Sequence, residues 1–414
     1  MFFVPLAPLA LGQAVPAARG PAFYTGFHLP DVSGTLRYSL SASERLRLGA
    51  SNAASNGDTF NISGNVAYLS ASPTHPFSMV YSGAYLYEES GNTPSQVVQR
   101  LSLSQILEYE RWKFVIADSV SYLPETPATG LSGIPGLGDT NIPPVTTGSE
   151  SQDILSNYAQ RVSNMASGTV SRELTGTTSL SGTGSQTIIR YLNVPAGSSV
   201  DSDGYSALAN FQHRFDARTS AGFRYVYNTF SYLSVNYGIT TQMVGLQFER
   251  QLSRRASVTA FVGPQHVSSS DAAVIPSRTN FSGNASLTYV TRDLTTSLTF
   301  QQGASAGGGL IAGANTTSIH LTASRQFGRA WHASASGGYV QTSSLQTGAY
   351  GAKSVIFSTQ ANRSILRHLS AYVSYTLEHQ LNSGTNIPTL ALNGLFQSLS
   401  FGVTYAPEAI HLGH

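Results

Sequence analysis

Apolar and polar side chains alternate with period two along most of this chain. In LTYVTRDLTTSLTF, residues 287–300, Leu287, Tyr289 and Thr291 share one side, Arg292-Asp293 turns the chain, and Leu294, Thr296, Leu298 and Phe300 resume that side. Thr288, Val290, Thr295, Ser297 and Thr299 lie between them. Successive side chains of a strand point to opposite faces, so this is a hairpin with one oily and one wet face. The dyad recurs in 77–89, where Phe77, Met79, Tyr81, Gly83, Tyr85 and Tyr87 form one set. In 278–292, Phe281, Gly283, Ala285, Leu287 and Tyr289 oppose Ser282, Asn284, Ser286 and Thr288. In 369–381, Leu369, Ala371, Val373, Tyr375 and Leu377 oppose Ser370, Ser374, Thr376 and Glu378.

The pattern predicts strands over 34–51, 59–70, 77–89, 96–108, 112–122, 156–173, 176–191, 203–215, 219–233, 241–252, 256–269, 278–292, 294–305, 316–327, 331–343, 352–365, 369–381 and 395–406. That is 18 strands, an even number, many of 12 residues or more. Soluble strands usually run to about 5–6 residues, and a tilted strand crosses a bilayer in about 9–11. Tight turns at 109–111, 174–175, 216–218, 253–255, 293, 328–330 and 366–368, with a longer one at 71–76, alternate with polar loops such as 193–202, 234–240, 306–315, 344–351 and 382–394. Short turns at one rim and long loops at the other are the habit of a barrel closed in a membrane; two packed sheets have no reason to segregate them. Residues 156–191 are polar on both faces, which leaves 16 strands as the alternative if they form an inserted loop. The Gly- and Pro-rich stretch 123–155 is too long for a simple connection and reads equally as a constriction folded inward or as a surface loop.

Composition sharpens the choice of solvent. Only 11% of the 414 residues are charged, against about 25% in a typical soluble domain, and Ser, Thr, Asn, Gln and Gly fill the polar positions. The net charge of +2, without a Lys/Arg run, offers no footprint for nucleic acid. Cysteine is absent, which excludes disulfides and thiolate metal sites, and no cofactor motif occurs. The apolar run Phe2–Leu11 followed by Gly12-Gln13-Ala14 suits a signal-peptide remnant cleaved after Ala14, although no Lys or Arg precedes Arg19. No later stretch approaches the ~20 apolar residues of a membrane helix. The expected organisation is a leader over 1–14, a periplasmic segment over 15–32, a barrel over 33–406 and a tail over 407–414.

Aromatic placement fits lipid. Trp112 and Trp331 are the first out-facing residues after tight turns, with Tyr109, Phe215 and Phe327 at comparable depth. Amphipathic rings favour the interface. With the final strand SLSFGVTYAP, whose out-facing Leu399, Phe401, Val403 and Tyr405 end on an aromatic, the chain resembles the Gram-negative outer-membrane β-barrels, porin-like in form, over roughly residues 33–406. The resemblance implies an all-β transmembrane antiparallel up-and-down barrel in the cell outer membrane. It also implies a lipid surround, delivery by the barrel-assembly machinery, a homo-oligomer as a candidate assembly, and passive diffusion of small hydrophilic solutes. In that class a terminal aromatic is the assembly signal, whereas here nine residues, 406–414, follow Tyr405.

On this register Arg37, Arg45, Arg47, Arg100, Lys113, Arg214 and Arg224 point inward, against Glu88, Glu108 and Glu378, so the lumen leans positive and a weak anion preference is expected. Screening over about 8 Å at physiological salt works against selectivity in a wide pore. Two acids sit awkwardly on the oily face: Asp118 among Trp112, Phe114, Ile116 and Val120, and Glu44 among Leu36, Tyr38, Leu40, Leu46 and Leu48. A bulge, a subunit contact or, for Glu44, a hairpin at Ser43-Glu44 would accommodate them. DSDG at 201–204 lacks the remaining calcium ligands and reads as a polar turn. The ten histidines are dispersed, so nothing marks a catalytic site; a surface receptor or adhesin acting through the long loops is the alternative function.

Overall fold

The computed structural model describes residues 33–413, apart from 50–56, 73, 89–94, 126–158, 193–199, 308–310, 347–349, 386 and 388–392. The expected leader and periplasmic segment, and nearly all of 123–155, lie outside the described residues.

Nineteen strands occur in chain order: β1 (Gly34–Gly49), β2 (Gly57–Ser70), β3 (Phe77–Glu88), β4 (Gln96–Tyr109), β5 (Trp112–Glu125), β6 (Ala159–Thr175), β7 (Thr178–Leu192), β8 (Ser202–Arg214), β9 (Thr219–Tyr232), β10 (Gly238–Gln251), β11 (Ala256–Ser269), β12 (Arg278–Val290), β13 (Leu294–Ser305), β14 (Ala314–Phe327), β15 (Trp331–Ser344), β16 (Gly351–Leu366), β17 (Leu369–Ser383), β18 (Gly394–Tyr405) and the short β19 (Ile410–Leu412). Each of β1 to β18 pairs antiparallel with its sequence neighbours, and β1 pairs with β18, which closes the sheet into an 18-stranded up-and-down barrel. Closure leaves no open edge and satisfies the backbone within the sheet, the condition for spanning lipid with strands.

The hairpin considered at Ser43-Glu44 does not form, because β1 runs unbroken across those residues and pairs on both sides. Residues 156–191 do supply two strands: β6 pairs with β5 from Ala159 to Arg172, and β7 pairs with β8, so the count is 18 and not 16. Beyond Tyr405, which lies opposite Leu40, the chain re-enters the sheet with Ile410 opposite Leu36. Four residues there face three on β1, a one-residue irregularity that bends the chain before β19 continues along the same edge.

The two faces differ as the dyad requires. Large apolar side chains such as Leu40, Ile116, Leu246 and Phe281 are exposed, the last at 74%, and they occupy one parity of each strand. The opposite parity holds the serines, threonines and amides, many of which bond across strands, as Ser102 to Ser119, Ser121 to Ser163, Thr169 to Thr183, and Ser336 to Ser358, together with buried apolar residues such as Leu86, Val98 and Ile356. Since the cylinder is a single closed sheet, the exposed apolar parity has no second sheet to meet. An apolar surface running all round a protein is a lipid-facing surface. The eight turns at the rim of β2–β3, β4–β5 and so on hold two to six residues, while the loops at the other rim reach 33 residues at 126–158.

Candidate solute pathway

The lumen wall follows from parity, and its charged part is concentrated on β1–β6. On β1, Ser41, Ser43, Arg45 and Arg47 share the inward set. Arg47 forms a buried ion pair with Glu88 of β3, reaching past β2, and its neighbour Arg45 donates from Nε to Ser400 Oγ at 3.3 Å. A charge pair removed from water holds together only with close geometry, which fixes the Arg47 side chain against the wall. Nearer the short-turn rim, Lys113 Nζ lies 2.9 Å from Glu108 Oε1, with both side chains partly exposed. On β17, Glu378 is buried and accepts from Ser354 Oγ at 2.8 Å.

Arg37 stands on the inward parity of β1 and is exposed, and Arg100 stands on the inward parity of β4. Arg214, at the end of β8, donates to the Gly176 carbonyl at 2.5 Å, so it braces the neighbouring turn. Arg224 of β9 donates to Gln247 Oε1 at 2.5 Å and lies over the Phe261 ring at 4.9 Å. Two further inward arginines, Arg161 and Arg278, belong to the same wall; continuing the alternation to the strand ends would have found both.

A second feature could not be read from the dyad. At the long-loop rim an apolar knot joins Phe230, Tyr232, Ile239 and Val267 of the inner wall to loop residues Ile275, Ala306, Ala312 and Leu345, with Val200, Val235, Tyr237 and Val274 packed against it. Ile239, Val267 and Ile275 are fully buried and Leu345 is 1% exposed, so these loops fold in over the mouth. Hydrogen bonds pin the knot: Tyr232 Oη donates to the Ala306 carbonyl at 2.9 Å, Gln346 Nε2 to Tyr237 Oη at 2.6 Å, and the Leu345 amide to the Gly313 carbonyl at 3.1 Å. Burial raises the Tyr237 phenol pKa, with the Gln346 bond opposing, and burial raises that of Tyr350 as well. Gly313 has φ of +83°, and a Cβ there would come within 2.1 Å of the Ile239 side chain, so glycine permits both the turn and the close approach. In an 18-stranded ring β1 and β10 stand opposite one another. The mouth is therefore two-sided, with the Arg45, Arg47 and Glu88 wall facing the apolar knot.

On the outer face, Trp112 opens β5 and Trp331 opens β15, while Tyr109 and Phe327 close β4 and β14, all exposed at the short-turn rim. Phe215 lies in the β8–β9 turn and Tyr405 ends β18. Phe401 stands two dyad steps deeper, past Val403, directly opposite Glu44. Both awkward acids face outward. Glu44 pairs across strands with Phe60 and Phe401. Asp118 lies in an unbroken register and accepts from Asn164 Nδ2 at 2.8 Å, so no bulge removes it from the surface. The DSDG acids are engaged by the chain itself: Asp201 Oδ1 accepts from the Tyr191 amide at 2.8 Å, and Asp203 Oδ1 lies 2.7 Å from Arg190. His213 and His266 bond to threonines, Thr178 and Thr279.

No known family profile matches the chain, and no curated protein matches it. Among solved structures it is similar to OccK5 (OpdH) of Pseudomonas aeruginosa, at 12% identity and a TM-score of 0.48, covering 91% of this chain and 98% of that one. It is similar to OpdQ of the same organism, at 12% identity and a TM-score of 0.46, covering 90% and 98%. The ferric citrate transporter FecA in its unliganded form is similar at 12% identity and a TM-score of 0.45, covering 92% of this chain and 65% of that one. These are likenesses of architecture alone.

Proposed function

We propose that the protein is an outer-membrane channel for passive diffusion of small hydrophilic solutes, with a weak preference for anions. The observation that carries this is an 18-stranded closed cylinder whose inner parity carries hydroxyl, amide and charged side chains along every part of the wall, among apolar ones such as Leu86, Val98, Ile356 and Phe396. Barrel diameter grows with strand number, and at 16–18 strands an aqueous channel remains where eight strands would fill with side chains. Anion preference is supported by the inward arginines, of which Arg47 is matched by Glu88 while Arg45 meets a serine. Planar-bilayer recording tests the reading: stepwise conductance is expected, with a reversal potential in a KCl gradient displaced toward the chloride value. A silent membrane refutes the channel. Cation-favouring reversal refutes the preference alone.

On this reading the short-turn rim is periplasmic. Delivery by the barrel-assembly machinery and assembly into a homo-oligomer belong to the same proposal. The Asp118–Asn164 pair, polar on an otherwise lipid-facing surface, supports a subunit contact at β5–β6. Disulfide cross-linking of an Asn164→Cys variant is expected to trap a dimer. The apolar knot supports a second reading, a surface receptor gripping its ligand at the mouth, which gains weight if conductance is absent while ligand binding survives.

A further inference from the structure

Three outward-facing arginines at the short-turn rim hold their guanidinium carbon over an aromatic ring: Arg172 over Trp112 at 4.8 Å, Arg325 over Phe327 at 4.9 Å, and Arg363 over Trp331 at 5.2 Å. Arg172 is the cross-strand partner of Trp112, and Arg363 that of Trp331, so strand register sets two of the stacks. None of the three meets a carboxylate among the described residues. Charge is also distributed unequally between the rims. Six of the eight short turns contain arginine, whereas the loop segments 50–56, 89–95, 126–158, 193–201, 233–237, 270–277, 306–313, 345–350 and 384–393 contain neither Lys nor Arg.

We propose that Arg172, Arg325 and Arg363 bind the phosphate of anionic glycerophospholipids in the leaflet around the short-turn rim. Attraction between the cation and the ring beneath it uses none of the guanidinium N–H donors, which remain for a two-point contact with phosphate oxygens. The ring beneath sits at the interface, where its apolar edge meets acyl chain and its upper face holds the cation at headgroup depth. The site continues the lipid-facing belt, so a lipid headgroup is the occupant, and the positive rim matches its charge. The inference rests on the membrane-barrel reading and not on conductance.

The test uses the full-length barrel in nanodiscs of phosphatidylcholine with phosphatidylglycerol, and reads the association of spin-labelled forms of each lipid. Wild type is expected to prefer phosphatidylglycerol by about fivefold per site at low ionic strength. The triple variant Arg172→Gln, Arg325→Gln, Arg363→Gln is expected to lose that preference, and Arg190→Gln, at the other rim, to keep it. A variant with Arg218, Arg254 and Arg292 changed to Gln removes equal charge from the turns and is expected to retain most of the preference. Equal preference in wild type and the stacked-site variant overturns the proposal, as does equal loss in the two triple variants. Heat-dependent gel mobility establishes folding of each, and the three single variants replace the triple if it does not fold. A barrel that shows the lipid preference yet conducts no current leaves this inference standing and removes only the channel.

Discussion

Gly263→Ala is the most exacting test of the barrel geometry. Gly263 lies on β11 beside Pro264, which has no amide hydrogen, and the β10–β11 register is interrupted there between Met243–Gln265 and Leu246–Val262. A Cβ on residue 263 would stand 2.0 Å from the Val244 carbonyl oxygen, 2.6 Å from Gly245 Cα and 2.8 Å from the Val244 carbonyl carbon. All three are backbone atoms, and no rotamer can move them aside. The strands must separate by roughly 1 Å, with an overpacking cost of about 1–3 kcal/mol. Weakening one flanking ladder bond adds about 0.5–1.5 kcal/mol, for an expected loss of about 1.5–4.5 kcal/mol. Reversible urea unfolding from lipid vesicles, followed by tryptophan fluorescence, gives the difference. Gly184→Ala is the control, because nothing lies within 4 Å of its Cβ and the substitution restricts the unfolded chain; it should be neutral or stabilising by up to about 1 kcal/mol. If Gly263→Ala unfolds at the midpoint of Gly184→Ala, the close approach of β10 and β11 is not a constraint and the reasoning fails.

Glu88→Gln leaves the buried Arg47 guanidinium without its counter-charge and beside Arg45, and is expected to cost about 3–5 kcal/mol in the same unfolding assay. Replacing both partners with apolar residues of similar volume should restore most of that loss. Leu345→Ala removes a side chain that is 1% exposed in the knot; the expected result is faster proteolysis near 345–350 and a higher, noisier single-channel conductance. Asp216, in the exposed β8–β9 turn, accepts from the Arg218 amide at 2.6 Å, and these backbone bonds hold its carboxyl below the usual 3.8. A depressed carboxyl stabilises the turn fully above the unfolded value and loses that contribution as pH falls through the lower folded one. Hydrogen-exchange protection of the Arg218 amide should therefore hold down to about pH 4 and decline below it, and Asp216→Asn should flatten that decline.

Much of the architecture is legible in the sequence because lipid imposes a single rule on every strand. Outward positions must be apolar, so Leu287, Tyr289, Leu298 and Phe300 declare their face without reference to distant residues. Where that rule slackens, reading becomes harder. The outward parity of β6 and β7 includes Ala166, Gly168, Gly182, Gly184 and Gln186, which carry little apolar contrast, and only pairing with β5 and β8 identifies those segments as barrel strands. Glu44 suggested a turn because one acid in an apolar set is costly, but hydrogen bonding to both neighbours of β1 outweighs one misplaced charge. The re-entry of residues 410–412 alongside Gly34–Leu36 left no trace in the alternation, since three residues are too few to show a period.

Sequence alone determined the strand repeat, the facing of each side chain and the segregation of short turns from long loops, because these depend only on neighbours along the chain and on the solvent each face meets. Tertiary structure decided the closure of β1 on β18, the pairing of Arg47 with Glu88 across β2, and the knot that brings Ile275, Ala306 and Leu345 onto Ile239. Those contacts join residues dozens to hundreds of positions apart. Curvature of the closed sheet places them together, and no local period encodes a curvature that all eighteen strands must share.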